Sequence, residues 1–234
     1  MKIIAMVPAR QGSKGIPDKN IKNLLGKPLI SYSILSTLKC EKINSVYINS
    51  DSDKYLEIGE KLGAKRYKRP IKLAKDQTSM KDVLIDFSKF LIDNQIDFDA
   101  IMTLYPTNPL RTLDFIDEFI DKFVSIGGNR PFISIKKPLT HPSLCYSRDY
   151  KGNLSSILNI NENIYYRRQE YPEYFCLAGG NYIIPIEYLN KINAQLICKE
   201  TYGYILPENT VYVDVDAKAD LELAEYYLQK NIVD

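Results

Sequence analysis

Lys2-Ile3-Ile4-Ala5-Met6-Val7-Pro8-Ala9-Arg10-Gln11-Gly12-Ser13-Lys14-Gly15-Ile16-Pro17-Asp18-Lys19-Asn20 opens the chain with an apolar run that passes directly into a basic, glycine-containing loop. The run Lys2–Met6 reads as a buried first strand. The loop after it carries Gly12, Ser13 and Gly15 among Arg10, Lys14 and Lys19. Successive backbone N–H groups in such a turn can converge on one anion, and the side chains add full positive charges. That construction suits a triphosphate. It is not a Walker A loop, because GxxxxGK[ST] is absent, and the chain has no GxG for a dinucleotide fingerprint. The competing reading of the loop alone is an ordinary strand-to-helix connection with solvated charges.

Working outward, strand-like and helix-like patterns alternate through the first 135 residues. Pro28 to Leu35 has helical spacing. Ser45 to Ser50 reads as a strand ending at Asp51, with Ser52 or Asp53 placed to cap a helix through about Leu62. A short strand near Lys65–Lys68 precedes Arg69-Pro70. Met80 to Ile92 is helical, Ala100 to Tyr105 a buried strand, Thr112 to Phe123 a helix, and Pro131 to Ile135 another strand. Strands separated by helices of this length need crossover connections, which predicts a three-layer α/β/α domain with a mostly parallel sheet. Ligands in such sheets bind beyond the carboxyl ends of the strands. The first loop, Asp51 and the Tyr105–Arg111 turn all fall at such ends. From about 136 to 175 the periodicity weakens into a Pro-, Asn- and Tyr-rich stretch, expected to be a lid or a dimerisation arm. Order is expected to return at Asn181–Ile184, at Thr210–Val213 as a strand, and in a helix over Lys218–Gln229. All 234 residues are read as one domain.

Composition narrows the function. A net charge of +2, from 31 basic and 29 acidic groups, gives no general affinity for polyanions, so neither nucleic acid nor membrane is the expected partner. The four cysteines are far apart with no CxxC, which argues against structural zinc and a disulfide framework and for a reducing, cytoplasmic setting. His141 is the single histidine, which removes His-based metal clusters and makes a Ser-His-Asp apparatus improbable. Chemistry must rest on carboxylates, Lys, Arg, Tyr and bound metal.

Three further stretches carry that chemistry. Leu104-Tyr105-Pro106-Thr107-Asn108-Pro109-Leu110-Arg111 is a turn stiffened by two prolines, able to aim a hydroxyl and an amide at a ligand, or simply a rigid connection with Thr112 as a helix cap. Arg168-Gln169 lies ahead of Pro172, Phe175 and Ala178-Gly179-Gly180-Asn181-Tyr182. Val213-Asp214-Val215-Asp216 places two carboxylates about one strand repeat, ~6–7 Å, apart on one face. Such a pair repels unless a cation or donor lies between. The competing reading is a strand end followed by an Asp helix cap.

Together with Arg69-Pro70-x-x-Leu73-Ala74-x-Asp76, the order and spacing of these stretches resemble the acylneuraminate cytidylyltransferases, enzymes that activate nonulosonic acids with CTP. The resemblance covers Val7 to Asp216. It implies a Rossmann-like sheet of the nucleotide-diphospho-sugar transferase type and a homodimer. It implies CTP held by Arg10, Gly12, Ser13, Lys14, Lys19 and Asn20, with Arg69 on the base. It implies Mg²⁺ on Asp214 and Asp216, with Lys14 and Lys19 completing the catalytic set. The acid sugar would be met by Tyr105, Thr107, Arg111, Arg168, Gln169 and Tyr182, the arginine at 168 clamping its carboxylate. Two positions depart from the family pattern. Tyr105 stands where LQPTSPLR has glutamine, and Ala178 where RQxLPxxYxxNGAIY has asparagine. Asn181 is a candidate to supply the missing amide. The altered pair points to a reshaped pocket, for a less hydroxylated or differently acylated sugar such as legionaminic or pseudaminic acid. A sugar-phosphate nucleotidyltransferase of the same fold and a non-catalytic nucleotide-binding module remain the alternatives.

Overall fold

The computed structural model describes residues 1–12, 15–158, 167 and 171–230. Its frame is a seven-stranded sheet. In chain order the elements are β1 (Ile3–Pro8), the small ribbon β2 (Asn23–Leu24) and β3 (Lys27–Pro28), α1 (Leu29–Leu38), β4 (Ile43–Ser50), α2 (Asp53–Lys61), β5 (Lys65–Lys68), α3 (Met80–Asp93) and β6 (Ala100–Leu104). They continue with α4 (Leu113–Ser125), β7 (Phe132–Lys136), β8 (Tyr146–Arg148), β9 (Leu154–Ser156), β10 (Cys176–Pro185), β11 (Tyr202–Ile205) and α5 (Lys218–Gln229).

The strand order is β11-β7-β10-β6-β1-β4-β5. The first strand pairs in parallel with β4 on one side and β6 on the other, so the loop leaving its carboxyl end emerges mid-sheet. Only β10 runs against its neighbours, antiparallel to both β6 and β7. The parallel, helix-covered sheet read from the alternation is therefore what the chain forms.

The three layers follow from the two-residue period of β1. Ile3, Ala5 and Val7 face a core closed by α1, α2 and α4 through Ile34, Tyr55, Leu56, Phe119 and Phe123. Ile4 and Met6 face the opposite core, closed by α3 through Val83, Leu84, Phe87 and Leu91. Fully burying one such side chain is worth about 1.5–3 kcal/mol. The two covering helices start on side-chain caps: Ser79 Oγ accepts from the Asp82 N–H (3.1 Å) and Thr112 Oγ1 from the Phe115 N–H (3.1 Å). No helix among the described residues is long and apolar enough to cross a membrane.

Two expectations need correction. Thr210–Val213 is not a strand; the edge beside β7 is taken by β11, whose Tyr202 stacks on Phe132 while Tyr204 packs against it at a tilt. The alternation at the 213–216 segment is real but has another cause. Val213 and Val215 turn into a third apolar cluster with Ile16, Leu24, Leu110 and Leu221, leaving Asp214 and Asp216 exposed. The segment is tied down by the Val215 N–H donating to the Thr107 carbonyl (2.8 Å). The stretch at 136–175 is also less irregular than expected, since β8 and β9 form an antiparallel hairpin. Asp149 organises its turn, accepting from the N–H groups of Lys151 and Asn153 (2.8 and 2.9 Å), and Gly152 supplies a φ of 94°.

Candidate active site

Three strand ends and one returning segment enclose a cavity of about 420 Å³. The end of β1 supplies Arg10 and, through its loop, Gly15, Lys19 and Asn20; the end of β5 supplies Arg69; the end of β6 supplies Tyr105 and Thr107; the 213–216 segment supplies Asp216. Met80, at the start of α3, lines the same cavity.

Each of these side chains is placed by local structure. Residues Lys19–Ile21 form a 3-10 turn that buries Asn20, whose Nδ2 donates to the Arg10 carbonyl (3.0 Å) and closes the loop on itself. The loop's entry is held by the Gln11 N–H donating to Asp51 Oδ1 (2.9 Å). Gly12 sits there with a φ of 85°, a left-handed value that suits glycine. Arg69 is buried, with Nε donating to Asn49 Oδ1 (2.6 Å) and Nη2 to the Asn49 carbonyl (3.2 Å). Burial lowers its pKa to about 10, with the charge of Asp51 opposing the shift, so it is a cation at neutral pH.

Two ion pairs engage the basic residues of the cavity. Lys19 Nζ lies 2.7 Å from Asp216 Oδ1, and Arg10 Nη2 lies 2.6 Å from Asp76 Oδ1. The backbone of the loop reaches the same segment at Gly15, where a β-carbon would stand 2.5 Å from the Asp216 carbonyl oxygen. Only glycine permits that approach without a shift. Asp220, in the first turn of α5, fixes the segment from the other side by accepting from the N–H groups of Asp216 (2.9 Å) and Ala217 (2.7 Å). These bonds hold the Asp220 carboxyl below the usual range.

Beside the cavity lies a tyrosine wall. Tyr105 and Tyr182 have ring centroids 5.7 Å apart, and Gly180, with a φ of 53°, leaves the space that the Tyr105 ring occupies. Burial raises the pKa of Tyr105, Tyr182 and Tyr212, the last to about 12, and the charge of Asp214 adds to each shift. Asp214 also bonds the Tyr212 side chain. Asp214 therefore borders this wall, and Asp216, next along the same exposed face of the segment, lines the cavity.

Arg10, Lys19, Asn20, Arg69, Tyr105, Thr107 and Asp216, singled out from sequence, are thus neighbours across one cavity. Ser13, Lys14, Arg168 and Gln169 lie outside the described residues. Arg111, expected on the substrate side, is instead buried and committed internally. It donates to Asn181 Oδ1 (2.5 Å), Ser33 Oγ (2.9 Å), and the carbonyls of Gly179 (3.0 Å) and Tyr105 (3.3 Å). Asn181 does not replace the amide absent at Ala178, because its Oδ1 serves Arg111 and its Nδ2 donates to Ser134 Oγ (3.1 Å). Asp220 and Tyr212 were not singled out from sequence, and Asp76 only as the end of the Arg69-Pro70 motif with no role given; of the first two only Asp220, in the first turn of a helix, leaves a local signal.

No group of three or more His, Cys, Asp or Glu side chains suited to a metal occurs among the described residues. Asp214 and Asp216 are both exposed acceptors. Such a sparse pair fits magnesium, which is commonly bound by one or two carboxylates with phosphate oxygens and water completing the shell.

Residues 4–176 match the sequence profile of the cytidylyltransferase family. The chain belongs to that family. Among similar proteins, this cytidylyltransferase is 28% identical over 239 residues to a CMP-N,N'-diacetyllegionaminic acid synthase of Legionella pneumophila, covering 99% of the chain and 98% of the relative. It is 29% identical to a pseudaminic acid cytidylyltransferase of Campylobacter jejuni, covering 99% and 98%. It is also 29% identical to an N-acylneuraminate cytidylyltransferase of Escherichia coli, where it spans 98% of its own length and 52% of the relative. A solved CMP:2-keto-3-deoxy-manno-octonic acid synthetase, complexed with CTP, superposes with a TM-score of 0.69 at 17% identity, covering 99% of this chain and 100% of that one. The cytidylyltransferase shares that fold.

Proposed function

We propose that the chain transfers the cytidylyl group of CTP to the anomeric hydroxyl of a 2-keto acid sugar of the nonulosonic class, giving a CMP-sugar and pyrophosphate. The observation that carries this reading is the Lys19–Asp216 pair, which brings a cation of the loop and a carboxylate of the 213–216 segment into one cavity with Arg10, Asn20 and Arg69. Arg10, Lys19 and the loop bearing Gly12, Ser13 and Lys14 hold the triphosphate. Asn20 and Arg69 hold the nucleoside. Asp214 and Asp216 would hold Mg²⁺, which neutralises phosphate charge. The sugar oxygen bonds to the α-phosphorus as the bond to the β-phosphate oxygen breaks, and the hydroxyl proton is released. The protein's part is placement and charge stabilisation.

On the sugar side, Arg168 and Gln169 take the carboxylate, and Thr107, Tyr105 and Tyr182 line the remainder. Tyr105 and Ala178 leave this side without two amides, and Asn181 is occupied internally. An unpaired buried polar group costs about 1–3 kcal/mol, so a sugar whose recognition depends on those amides is disfavoured. The proposed substrate is a legionaminic- or pseudaminic-type acid. A CTP-dependent pyrophosphate assay across sialic, legionaminic, pseudaminic and Kdo acids and common sugar phosphates tests both parts, with mass spectrometry of the product. The expected result is a product carrying one phosphate and a kcat/KM for N-acetylneuraminic acid below that of the best acid. N-acetylneuraminic acid as the best substrate refutes the reshaped pocket, and a two-phosphate product refutes the reaction.

The 136–175 stretch is proposed as a dimerisation arm. It leaves Leu139 (88% exposed), Leu144, Tyr146, Leu154 (65% exposed) and Ile157 exposed along one stretch, and exposed apolar side chains gathered in this way suit an interaction surface. Sedimentation at micromolar concentration should give a dimer, and Leu139→Asp with Leu154→Asp should shift it toward monomer. A monomeric wild-type chain refutes the arm.

A further inference from the structure

We infer that Tyr55 and Asp18 form a tether that positions Lys19 and Asn20 in the cavity; the inference rests on the proposed CTP site. Asp18 has φ 52° and ψ 35°, a left-handed conformation that aspartate adopts more readily than most non-glycine residues. It is the pivot of the loop. The Lys19 N–H donates to the Ile16 carbonyl (3.1 Å), the Ile21 N–H to the Asp18 carbonyl (2.9 Å) and the Lys22 N–H to the Lys19 carbonyl (3.0 Å).

What holds Asp18 is a residue of the core. Tyr55 lies on α2 and is 1% exposed, packed in the cluster beneath β1 and β4. Its hydroxyl donates to Asp18 Oδ1 at 2.8 Å. A buried phenol needs a partner for its O–H, and this one finds it in a loop carboxylate 37 positions away in sequence. Burial and the Asp18 charge both raise the Tyr55 pKa, so it remains a donor.

The tether has an electrostatic consequence. Asp18 adjoins Lys19, and a carboxylate turned into the cavity would oppose any phosphate there. Drawn toward Tyr55, Asp18 is absent from the cavity lining, while its neighbours Lys19 and Asn20 are present. Tyr55 is thus a positioning residue that never meets substrate.

Tyr55→Phe removes one oxygen and keeps the ring in the core. In the substrate-free variant, amide hydrogen exchange at Ile21 and Lys22 should quicken by about tenfold, the scale of one hydrogen bond to a charged group. KM for CTP should rise by a similar factor, about tenfold, with KM for the acid sugar within about twofold. The thermal midpoint should hold to within a few degrees. Asp18→Asn, which keeps an acceptor oxygen and tolerates the left-handed conformation, should stay close to wild type in exchange and KM. Unchanged exchange at Ile21 and Lys22 overturns the tether. So does an equal rise in both KM values accompanied by a large fall in the thermal midpoint, the signature of general loosening. Should wild-type protein release no pyrophosphate with any acid sugar, the proposed reaction fails, and the exchange measurement alone still decides the tether.

Discussion

Asp216→Ala is expected to lower kcat for pyrophosphate release by about three orders of magnitude, the scale lost when a group organising transition-state charge is removed. The side chain is 75% exposed and the segment is anchored by Val213, Val215 and the Val215–Thr107 bond, so folding should be nearly unaffected. The substitution removes a negative charge from a cavity that retains Arg10, Lys19 and Arg69. CTP binding measured calorimetrically without metal should therefore hold or tighten while turnover collapses. Loss of affinity together with activity would point to a structural role instead. Turnover within tenfold of wild type would remove Asp216 from the metal site. Asp214→Ala should also suppress turnover, and its loss of the Tyr212 contact predicts an added change on the sugar side.

Arg111→Met should give the largest loss of stability, about 3–5 kcal/mol, the range seen when one member of a buried charged network is deleted. Methionine keeps much of the volume, so the loss isolates the polar contribution. Asn181 Oδ1, Ser33 Oγ and the carbonyls of Gly179 and Tyr105, all at buried positions or bonded there, lose a donor together. Burial depresses the arginine's pKa to about 9, which still leaves it charged at neutral pH. Denaturant unfolding at pH 7 should show a lower midpoint with an unchanged slope. A loss below about 1 kcal/mol would mean that these acceptors find other partners.

The fold was legible wherever the sequence period was set by one dominant surface. Ile3–Pro8, Ala100–Leu104 and Lys218–Gln229 each face well-defined cores, and their patterns match their conformations. It was illegible where the same period had two possible causes. Val213 and Val215 alternate because they pack under a loop, while the true edge strand Tyr202-Gly203-Tyr204-Ile205 is short and broken by a glycine. The candidate site divides in the same way. Arg10, Lys19, Asn20, Arg69 and Asp216 stand out because their types and order carry the chemistry. The internal contacts of Arg111 were illegible because a basic residue in a proline turn looks like a surface group until its four acceptors converge on it. Tyr55 carries no local signal, and the Asp76 motif does not reveal its partner, since both contacts arise from residues that the fold alone brings near.

The two ion pairs made by Arg10 and Lys19 mean that the protein supplies its own counterions. Arg10 rests on Asp76 and Lys19 on Asp216, so the resting cleft offers a passing anion little unclaimed charge on those two side chains. Under the proposed function, a phosphate that takes Lys19 parts it from Asp216, and a nucleotide arriving with its divalent cation brings a new partner for each. Entry then becomes an exchange of partners, a filter favouring the complete metal–nucleotide pair over either component alone.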